Sequence, residues 1–229
     1  MTPSPRPAAI LVAGGRGERA RSGADDIPKQ FRPLGGRPLI SWSYDVLRAA
    51  GCDPVVVVAP DEFHDLVRSA LGARTTLASA GDDRQGSVRN GLEEVDSEIV
   101  VIHDAVRPFV TAAMVTATLQ ALDDHDGAII AAPVDETIKR VEGSAVVGTV
   151  DRTGLWRAQT PQSFRTAVLK KAHREAVGDD RVVTDDAALL EFYGGSVVVV
   201  PGDNRNLKIT YPEDFALAEA HVASGTESR

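Results

Sequence analysis

The sequence has little cysteine, no long apolar run and fewer basic than acidic residues, and each shortage excludes a class of protein. Cys52 is the only cysteine among 229 residues, so an internal disulfide is excluded, and no Cys/His cluster has zinc spacing. No apolar run is long enough for a membrane span or for the core of a signal peptide. We therefore expect a soluble cytoplasmic protein in which Cys52, directly before an apolar run, is a small buried thiol.

The charge balance is acidic, with 25 Lys and Arg against 33 Asp and Glu and a formal net charge of -8. Such a chain is not expected to bind nucleic acid over a broad surface, although a local cationic pocket is compatible with it. A chain of this length can bury about 70% of its unfolded surface, so its core needs neither disulfides nor a structural metal.

Short apolar runs alternate with helical patterns along most of the chain, which predicts a parallel, doubly wound α/β sheet with right-handed crossovers. The apolar run PVVVVA, for example, is apolar on both faces, as buried parallel strands are. The predicted strands are 8–13, 54–59, 74–79, 98–103, 127–133, 195–202 and 206–210, and the predicted helices are 38–50, 61–71, 84–94, 111–122, 163–177, 184–192 and 211–223.

The alternation breaks at residues 134–152, where two short alternating segments flank Glu142-Gly143-Ser144. This pattern is typical of a β-hairpin. We expect a β-arm outside the main sheet, at about residues 134–156, and otherwise a single domain over residues 1–229.

The first turn, residues 13–31, gathers glycines and cations directly after a strand. A glycine-rich turn at the carboxyl edge of an α/β sheet can cradle phosphates with its backbone amides; the alternative is a solvated basic loop. The P-loop string is absent, and the dinucleotide fingerprint is incomplete. Pro60 stands where a dinucleotide enzyme would carry an acid, which disfavours an NAD-dependent oxidoreductase.

The first turn, residues 13–31, carries two candidate anion ligands, Arg19 and Lys29.

A second motif, HDAVRPF at residues 103–109, directly follows a buried strand. Asp104 emerges at the carboxyl edge, where a carboxylate could hold Mg²⁺. Arg107 is suited to bidentate phosphate contacts. The alternative is that Asp104 caps the next turn and pairs with Arg107. We interpret His103 as structural rather than catalytic.

Three further groups are weaker candidates, and each has an ordinary structural alternative. Gly81 and Ser87 could contact a base or sugar, although Ser87 could equally be a helix cap. The cations of the arm could reach a partner subunit or stay in water. Lys208 interrupts a late strand and could point into the site or into solvent.

Together these motifs resemble the 2-C-methyl-D-erythritol 4-phosphate cytidylyltransferase family over residues 8–220, nearly the whole chain. Each motif alone would be weak evidence, but their joint presence in the same order is specific. The motifs are AGGRGER (13–19), PKQ (28–30), DDRQGSV (82–88), HDAVRP (103–108), DETIKR (135–140), TVDRTGLW (149–156), QTPQ (159–162), VTDD (183–186) and NLKIT (206–210).

The resemblance implies a Rossmann-like, mostly parallel twisted sheet flanked by helices, with a protruding arm through which the chain forms a homodimer. It implies transfer of CMP from CTP to methylerythritol phosphate with Mg²⁺ or another divalent cation, in non-mevalonate isoprenoid biosynthesis. It assigns catalysis to Arg19 and Lys29 and the metal to Asp104. It assigns CTP binding to Ala13, Gly14, Gly15, Gly81, Asp82, Ser87 and Ala105, and substrate binding to Arg107, Thr137, Arg152, Thr160, Thr184 and Lys208, with Thr137 and Arg152 supplied by the partner.

Two departures from the family pattern stand out. Gly14 replaces a common alanine, a change between small residues, and Arg205 stands where some relatives carry aspartate. A ribitol 5-phosphate cytidylyltransferase is the nearest rival, and the arm motifs favour the methylerythritol enzyme over it. A non-catalytic nucleotide-binding protein is the alternative from a different class.

Overall fold

The computed structural model describes residues 6–15 and 27–225, and within them a seven-stranded sheet forms the centre of the fold. The strands are β1 (Ala8–Val12), β2 (Pro33–Leu34), β3 (Arg37–Pro38), β4 (Val55–Ala59), β5 (Thr76–Ser79), β6 (Ile99–Asp104), β7 (Gly127–Pro133), β8 (Ile138–Glu142), β9 (Ala145–Val150), β10 (Trp156–Arg165) and β11 (Val197–Pro201). The main sheet has the order β11-β7-β10-β6-β1-β4-β5. Only β10 runs antiparallel to its neighbours among the described strands of this sheet.

Helices cover both faces of the sheet because successive strand residues point to opposite faces. In β1, Ala8 and Ile10 pack on one face, whereas Ala9 and Leu11 pack on the other. All four are fully buried, which matches the continuous apolar runs of the parallel strands. The helices are α1 (Leu39–Ala49), α2 (His64–Leu71), α3 (Arg84–Glu93), α4 (Ala112–Gln120), α5 (Thr166–Gly178), α6 (Asp186–Phe192) and α7 (Pro212–Ala223).

The parallel strands β1, β4, β5 and β6 bring their carboxyl ends to one edge of the sheet. The register pairs Val12 at the end of β1 with Asp104 at the end of β6. On the other side, Ala59 of β4 lies beside Ser79 of β5. The segments that follow these strands therefore meet at one edge, which is where ligands bind in open α/β sheets.

Two local predictions were wrong. Residues 163–165, predicted as helix, belong to β10, and α5 begins only at Thr166. β10 is rich in polar residues and contains Pro161 at the point where its register with β7 shifts, so no apolar run marks it. Residues 206–210, predicted as a strand, form an irregular segment. The buried Asn206 side chain ties that segment to the carbonyl of Thr160, and no strand pairs with it in the described part of the chain.

The predicted hairpin is confirmed. β8 and β9 pair with each other as a separate antiparallel sheet, and the turn between them contains Gly143 with a φ of +59°. Glycine suits this turn because a side chain is unfavourable at positive φ. Both strands are almost entirely exposed. Val141 and Val146 face each other across the pair, and Val146 is 63% exposed.

The expectation that Cys52 is buried agrees with the structure. The single thiol, Cys52, is buried, and burial raises its pKa to about 12, so it is an unreactive structural group. Within residues 6–15 and 27–225, no helix has both the length and the apolar character needed to cross a membrane.

Candidate active site

A cleft of about 890 Å³ opens at the carboxyl edge of β1, β4, β5 and β6. The sequence-predicted residues that line it are Ala13, Gly14, Gly15, Lys29, Gly81, Asp82, Ser87, Asp104 and Lys208. These residues come from five separate segments of the chain, so the fold is what assembles them. Arg19, the other predicted catalytic cation, lies outside the described residues.

A buried glutamine, Gln30, binds the backbone of the glycine turn that follows β1. The Gln30 side-chain amide donates to the carbonyl of Ala13 at 2.7 Å and to that of Gly15 at 3.0 Å. Gln30 itself is fixed in a short 3-10 turn, Lys29–Phe31, that follows Pro28. The two carbonyls are thereby paired, and Gln30 itself also lines the cleft. Gln30 belongs to the PKQ motif, but the sequence pattern alone did not single it out.

The start of α3 forms a second wall of the cleft. Asp83 caps this helix by accepting from the amide of Gly86 at 2.6 Å. The Ser87 hydroxyl donates to the carbonyl of Asp83 at 2.8 Å and accepts from the amide of Gly81 at 3.0 Å. A Cβ at Gly81 would lie 2.5 Å from the carbonyl carbon of Gly86, so only glycine fits there. Ser87 therefore ties the preceding turn to the helix, and the cap is Asp83.

Asp104 is the charged centre of the cleft. One carboxylate oxygen accepts from Arg84 Nε at 3.2 Å, and the other accepts from Lys208 Nζ at 2.7 Å. Burial raises the pKa of this carboxyl, but the nearby charges of Arg84 and Lys208 lower it by more, so the pKa lies well below its ordinary value. Asp104 is therefore ionised at neutral pH, with a cation on each side.

The alternative in which Arg107 pairs with Asp104 is wrong. The guanidinium of Arg107 donates instead to the carbonyl of Asn206 at 2.8 Å. Arg84, which the sequence pattern did not single out, takes the place at Asp104. A signal was available: Arg84 directly follows the cap residue Asp83 in the motif 82–88, and the first turn of a helix at the carboxyl edge faces the ligand site.

Behind the cleft, a buried group of residues supports Asp104. The amide of Asp104 donates to Thr160 Oγ1 at 3.1 Å, and that hydroxyl also lies 2.9 Å from His103 Nδ1. His103 is fully buried, and burial lowers its pKa to about 4, so the ring is neutral at pH 7. This agrees with the structural interpretation of His103. Ala105 is also buried, and its amide donates to the carbonyl of Val12 at 3.0 Å.

The remaining predicted substrate residues lie away from the cleft lining in this single chain. Thr137 and Arg152 are exposed, next to the hairpin strands, and Arg152 donates to the carbonyl of Asp135. Thr184 is exposed just before α6. The Arg107 side chain binds the carbonyl of Asn206, and the Thr160 hydroxyl contacts the Asp104 amide and His103. Whether these residues contact a substrate stays a prediction.

The fold and the cleft define the class: an open α/β protein with a cleft at its carboxyl edge that is lined by a glycine turn, a helix N-terminus and two lysines. The sequence model of the family named 2-C-methyl-D-erythritol 4-phosphate cytidylyltransferase matches residues 8–224. The chain belongs to that family and is a nucleotidyltransferase. The predicted family and the mostly parallel α/β fold are thereby confirmed.

Individual relatives agree with this assignment. A 2-C-methyl-D-erythritol 4-phosphate cytidylyltransferase of Geotalea uraniireducens is 38% identical over 98% of this chain and 100% of its own length. A bifunctional enzyme IspD/IspF of Granulibacter bethesdensis is 45% identical over 95% of this chain, but the match spans only 57% of that longer protein. The crystal structure of the Thermus thermophilus cytidylyltransferase superposes with a TM-score of 0.80 at 32% identity, covering 95% of this chain and 99% of the other.

The buried amide of Gln30 yields a first test. Gln30→Met keeps a side chain of similar length but removes both donors, which leaves the carbonyls of Ala13 and Gly15 unpaired. We expect the free energy of unfolding to fall by about 1–3 kcal/mol, measured by urea denaturation. Gln120→Met, at the exposed end of α4, is the control and should change it by no more than about 0.5 kcal/mol. Equal stability of the two variants would show that Gln30 does not hold the turn.

Proposed function

We propose that this chain transfers CMP from CTP to 2-C-methyl-D-erythritol 4-phosphate in the cleft, forming 4-diphosphocytidyl-2-C-methyl-D-erythritol and pyrophosphate. The observation that carries the proposal is the ionised Asp104 held between Arg84 and Lys208, beside the glycine turn. A carboxylate surrounded by cations and backbone amides suits a metal-bound triphosphate. The family membership supplies the identity of the two substrates.

The bonds exchanged in this reaction require no general base. A phosphate oxygen of the sugar-alcohol phosphate bonds to the α-phosphorus of CTP, and the bond from that phosphorus to the oxygen bridging to the β-phosphate breaks. The electron pair leaves with pyrophosphate. Because the nucleophile is already an anion near pH 7, the protein's task is to bring two anions together and to stabilise the charge that develops.

The glycine turn and the start of α3 supply the neutral part of that stabilisation. Ala13, Gly14 and Gly15 line the cleft on one side, and Gly81 and Ser87 line it on another. Backbone amides at a glycine turn and at a helix N-terminus are suited to phosphate oxygens. We assign this part of the cleft to CTP, together with Asp82 and Ala105, as the family resemblance implies.

Lysines supply the positive charge. Lys29 lines the cleft, and its ammonium donates to the carbonyl of Ile209 at 2.8 Å, adjacent to Lys208. This contact joins the turn that carries Lys29 to the segment that carries Lys208. We assign Lys29 to stabilisation of the transition state, together with Arg19, as the family resemblance implies.

Asp104 is the residue suited to a divalent cation. Among the described residues, no group of three or more His, Cys, Asp or Glu side chains could form a complete metal cage. Mg²⁺ commonly uses one or two carboxylates and completes its shell with phosphate oxygens and water, so a single carboxylate in a phosphate cleft fits this ion. Bound there, Mg²⁺ would neutralise phosphate charge as a Lewis acid.

The hairpin is assigned to a second copy of the chain. Its strands are almost fully exposed, and the paired Val141 and Val146 present an apolar surface to solvent in the single chain. We propose a homodimer in which this surface is covered. Thr137 and Arg152 would then reach the partner's methylerythritol phosphate, which Arg107, Thr160, Thr184 and Lys208 would contact from its own subunit.

Pyrophosphate release tests the function directly. The full chain is incubated with CTP and Mg²⁺ and either methylerythritol 4-phosphate or ribitol 5-phosphate. We expect release with methylerythritol 4-phosphate only. Release with ribitol 5-phosphate only would contradict the assigned substrate while keeping the cytidylyltransferase chemistry, and release with neither would contradict catalysis itself.

Lys29→Ala tests the role of that cation. We expect kcat to fall by about 10²- to 10³-fold, because one preorganised charge at the reacting phosphates is lost. Lys171→Ala, which removes an exposed lysine of α5, is the control and should leave kcat unchanged. Circular dichroism checks that both variants are folded. A folded Lys29→Ala protein with near-normal turnover would remove Lys29 from the mechanism.

Val146→Lys tests the dimer. A lysine at this exposed position of the hairpin would bury its charge in the proposed interface, so we expect sedimentation to show a monomer at concentrations where the parent chain is a dimer. Val182→Lys is the matched control, because Val182 is 74% exposed and lies outside the hairpin. The proposal would be contradicted by a monomeric parent chain or by a Val146→Lys variant that stays dimeric.

A further inference from the structure

Arg84 is shared between two carboxylates that lie in different parts of the molecule. Its Nε donates to Asp104 at 3.2 Å, and its Nη1 donates to Asp186 at 2.7 Å. Asp104 faces the cleft, whereas Asp186 belongs to the first turn of α6 and does not line it. Arg84 therefore connects Asp104 in the cleft with Asp186, a carboxylate that does not line the cleft.

Asp186 is an ionised carboxylate that is almost completely buried. Its side chain is 2% exposed, and His173 of α5, also 2% exposed, lies with Nε2 3.4 Å from its other oxygen. Burial raises the pKa of Asp186, but Arg84 and His173 lower it by more, so its pKa lies below the ordinary value. Helix capping does not account for the residue, because the cap of α6 is Asp185, which accepts from the amide of Ala188.

A buried ion pair of this kind contributes little to stability, because desolvation offsets the attraction. The geometry gives it another use. A guanidinium commonly binds a carboxylate through two parallel hydrogen bonds. Such a bidentate pair between Arg84 and Asp104 would occupy both oxygens of Asp104. Asp186 binds Nη1 and so fixes the orientation of the guanidinium. In this orientation Arg84 reaches Asp104 through Nε alone, and the neighbouring Nη2 is buried without a hydrogen-bond partner among the described residues. The second oxygen of Asp104 is left to Lys208, which binds it at 2.7 Å and whose side chain is 42% exposed.

We propose that Asp186 is a positioning residue for the reaction: by retaining Arg84 it keeps one oxygen of Asp104 available to a divalent cation. This inference rests on the proposed function, in which Asp104 is the metal residue. Without the Asp186 carboxylate, Arg84 closes on both oxygens of Asp104 and competes with the cation. Asp186 acts through Arg84 and touches neither substrate.

The test is divalent-cation binding by Asp186→Asn. Mn²⁺ binding is followed by electron paramagnetic resonance with CTP present and the second substrate absent, so that no turnover occurs. We expect the dissociation constant for Mn²⁺ to rise by about 10- to 100-fold, the usual effect of losing a partner that orients a metal ligand. The Mg²⁺ concentration for half-maximal turnover should rise in parallel, while kcat at saturating Mg²⁺ stays within about threefold.

Thr118→Val is the matched control. It also breaks a buried polar contact, the 2.7 Å hydrogen bond between Thr118 and Ser163, but this contact lies between α4 and β10 and involves no charge. Its Mn²⁺ affinity should equal that of the parent chain. A comparable loss of affinity in Thr118→Val would show that general loosening of the fold explains the effect, and would overturn the proposal.

Arg84→Lys supplies a second route that keeps Asp186 in place. A lysine ammonium cannot bridge two carboxylates in the manner of a guanidinium. In Arg84→Lys, Asp186 is therefore no longer connected to Asp104. We expect Asp186→Asn to change Mn²⁺ affinity in the parent chain and to add no further change in an Arg84→Lys background. Equal changes in both backgrounds would overturn the proposal.

If Asp186→Asn does not fold, a crystal structure of the parent chain with CTP and Mn²⁺ decides the question. Arg84 bound to Asp186 and to one oxygen of Asp104, with the ion on the other oxygen, would support the proposal. Arg84 released from Asp186 while the ion is bound to Asp104 would overturn it. The proposed function fails separately, if the parent chain itself shows no turnover that depends on CTP and a divalent cation.

Discussion

The rest of the site depends on one constraint, the need to hold the buried, ionised carboxylate of Asp104 at the carboxyl edge of the sheet. A buried charge is costly unless charged and hydrogen-bonding partners surround it. Arg84 arrives from the start of α3 and Lys208 from the irregular segment near the C-terminus, and Thr160 of β10 accepts from the Asp104 amide. Three distant parts of the chain thus converge on Asp104, and their convergence fixes the walls of the cleft.

The same constraint separates residues that face the ligand from residues that support them. Gln30 and His103 are buried supporting residues. Gln30 binds the carbonyls of the glycine turn, and His103 contacts the Thr160 hydroxyl beside the end of β6. Lys29 and Lys208 line the cleft itself, and the Lys29 ammonium donates to the carbonyl of Ile209, the residue next to Lys208. A motif shared by a family can therefore contain both kinds of residue, and only the fold distinguishes them.

Sequence patterns predicted the parallel strands and the hairpin well, because apolar runs and glycine turns are local signals. They failed at β10, whose polar residues and Pro161 conceal a central antiparallel strand. They failed again at residues 206–210, where the Asn206 side chain and the reach of Lys208 to Asp104 override the apolar alternation. Arg84 was missed as a partner of Asp104 for a similar reason, since the pair is set by the meeting of α3 and β6 and not by spacing along the chain.

The most direct test of the account is a crystal structure of the chain with CTP and Mn²⁺, with the ion located by its anomalous scattering. The account predicts an ion that contacts one carboxylate oxygen of Asp104 and the triphosphate, with Arg84 still bound to Asp186 and Lys208 displaced toward phosphate. An ion held by the triphosphate alone, with Asp104 still bound to both Arg84 and Lys208, would contradict it.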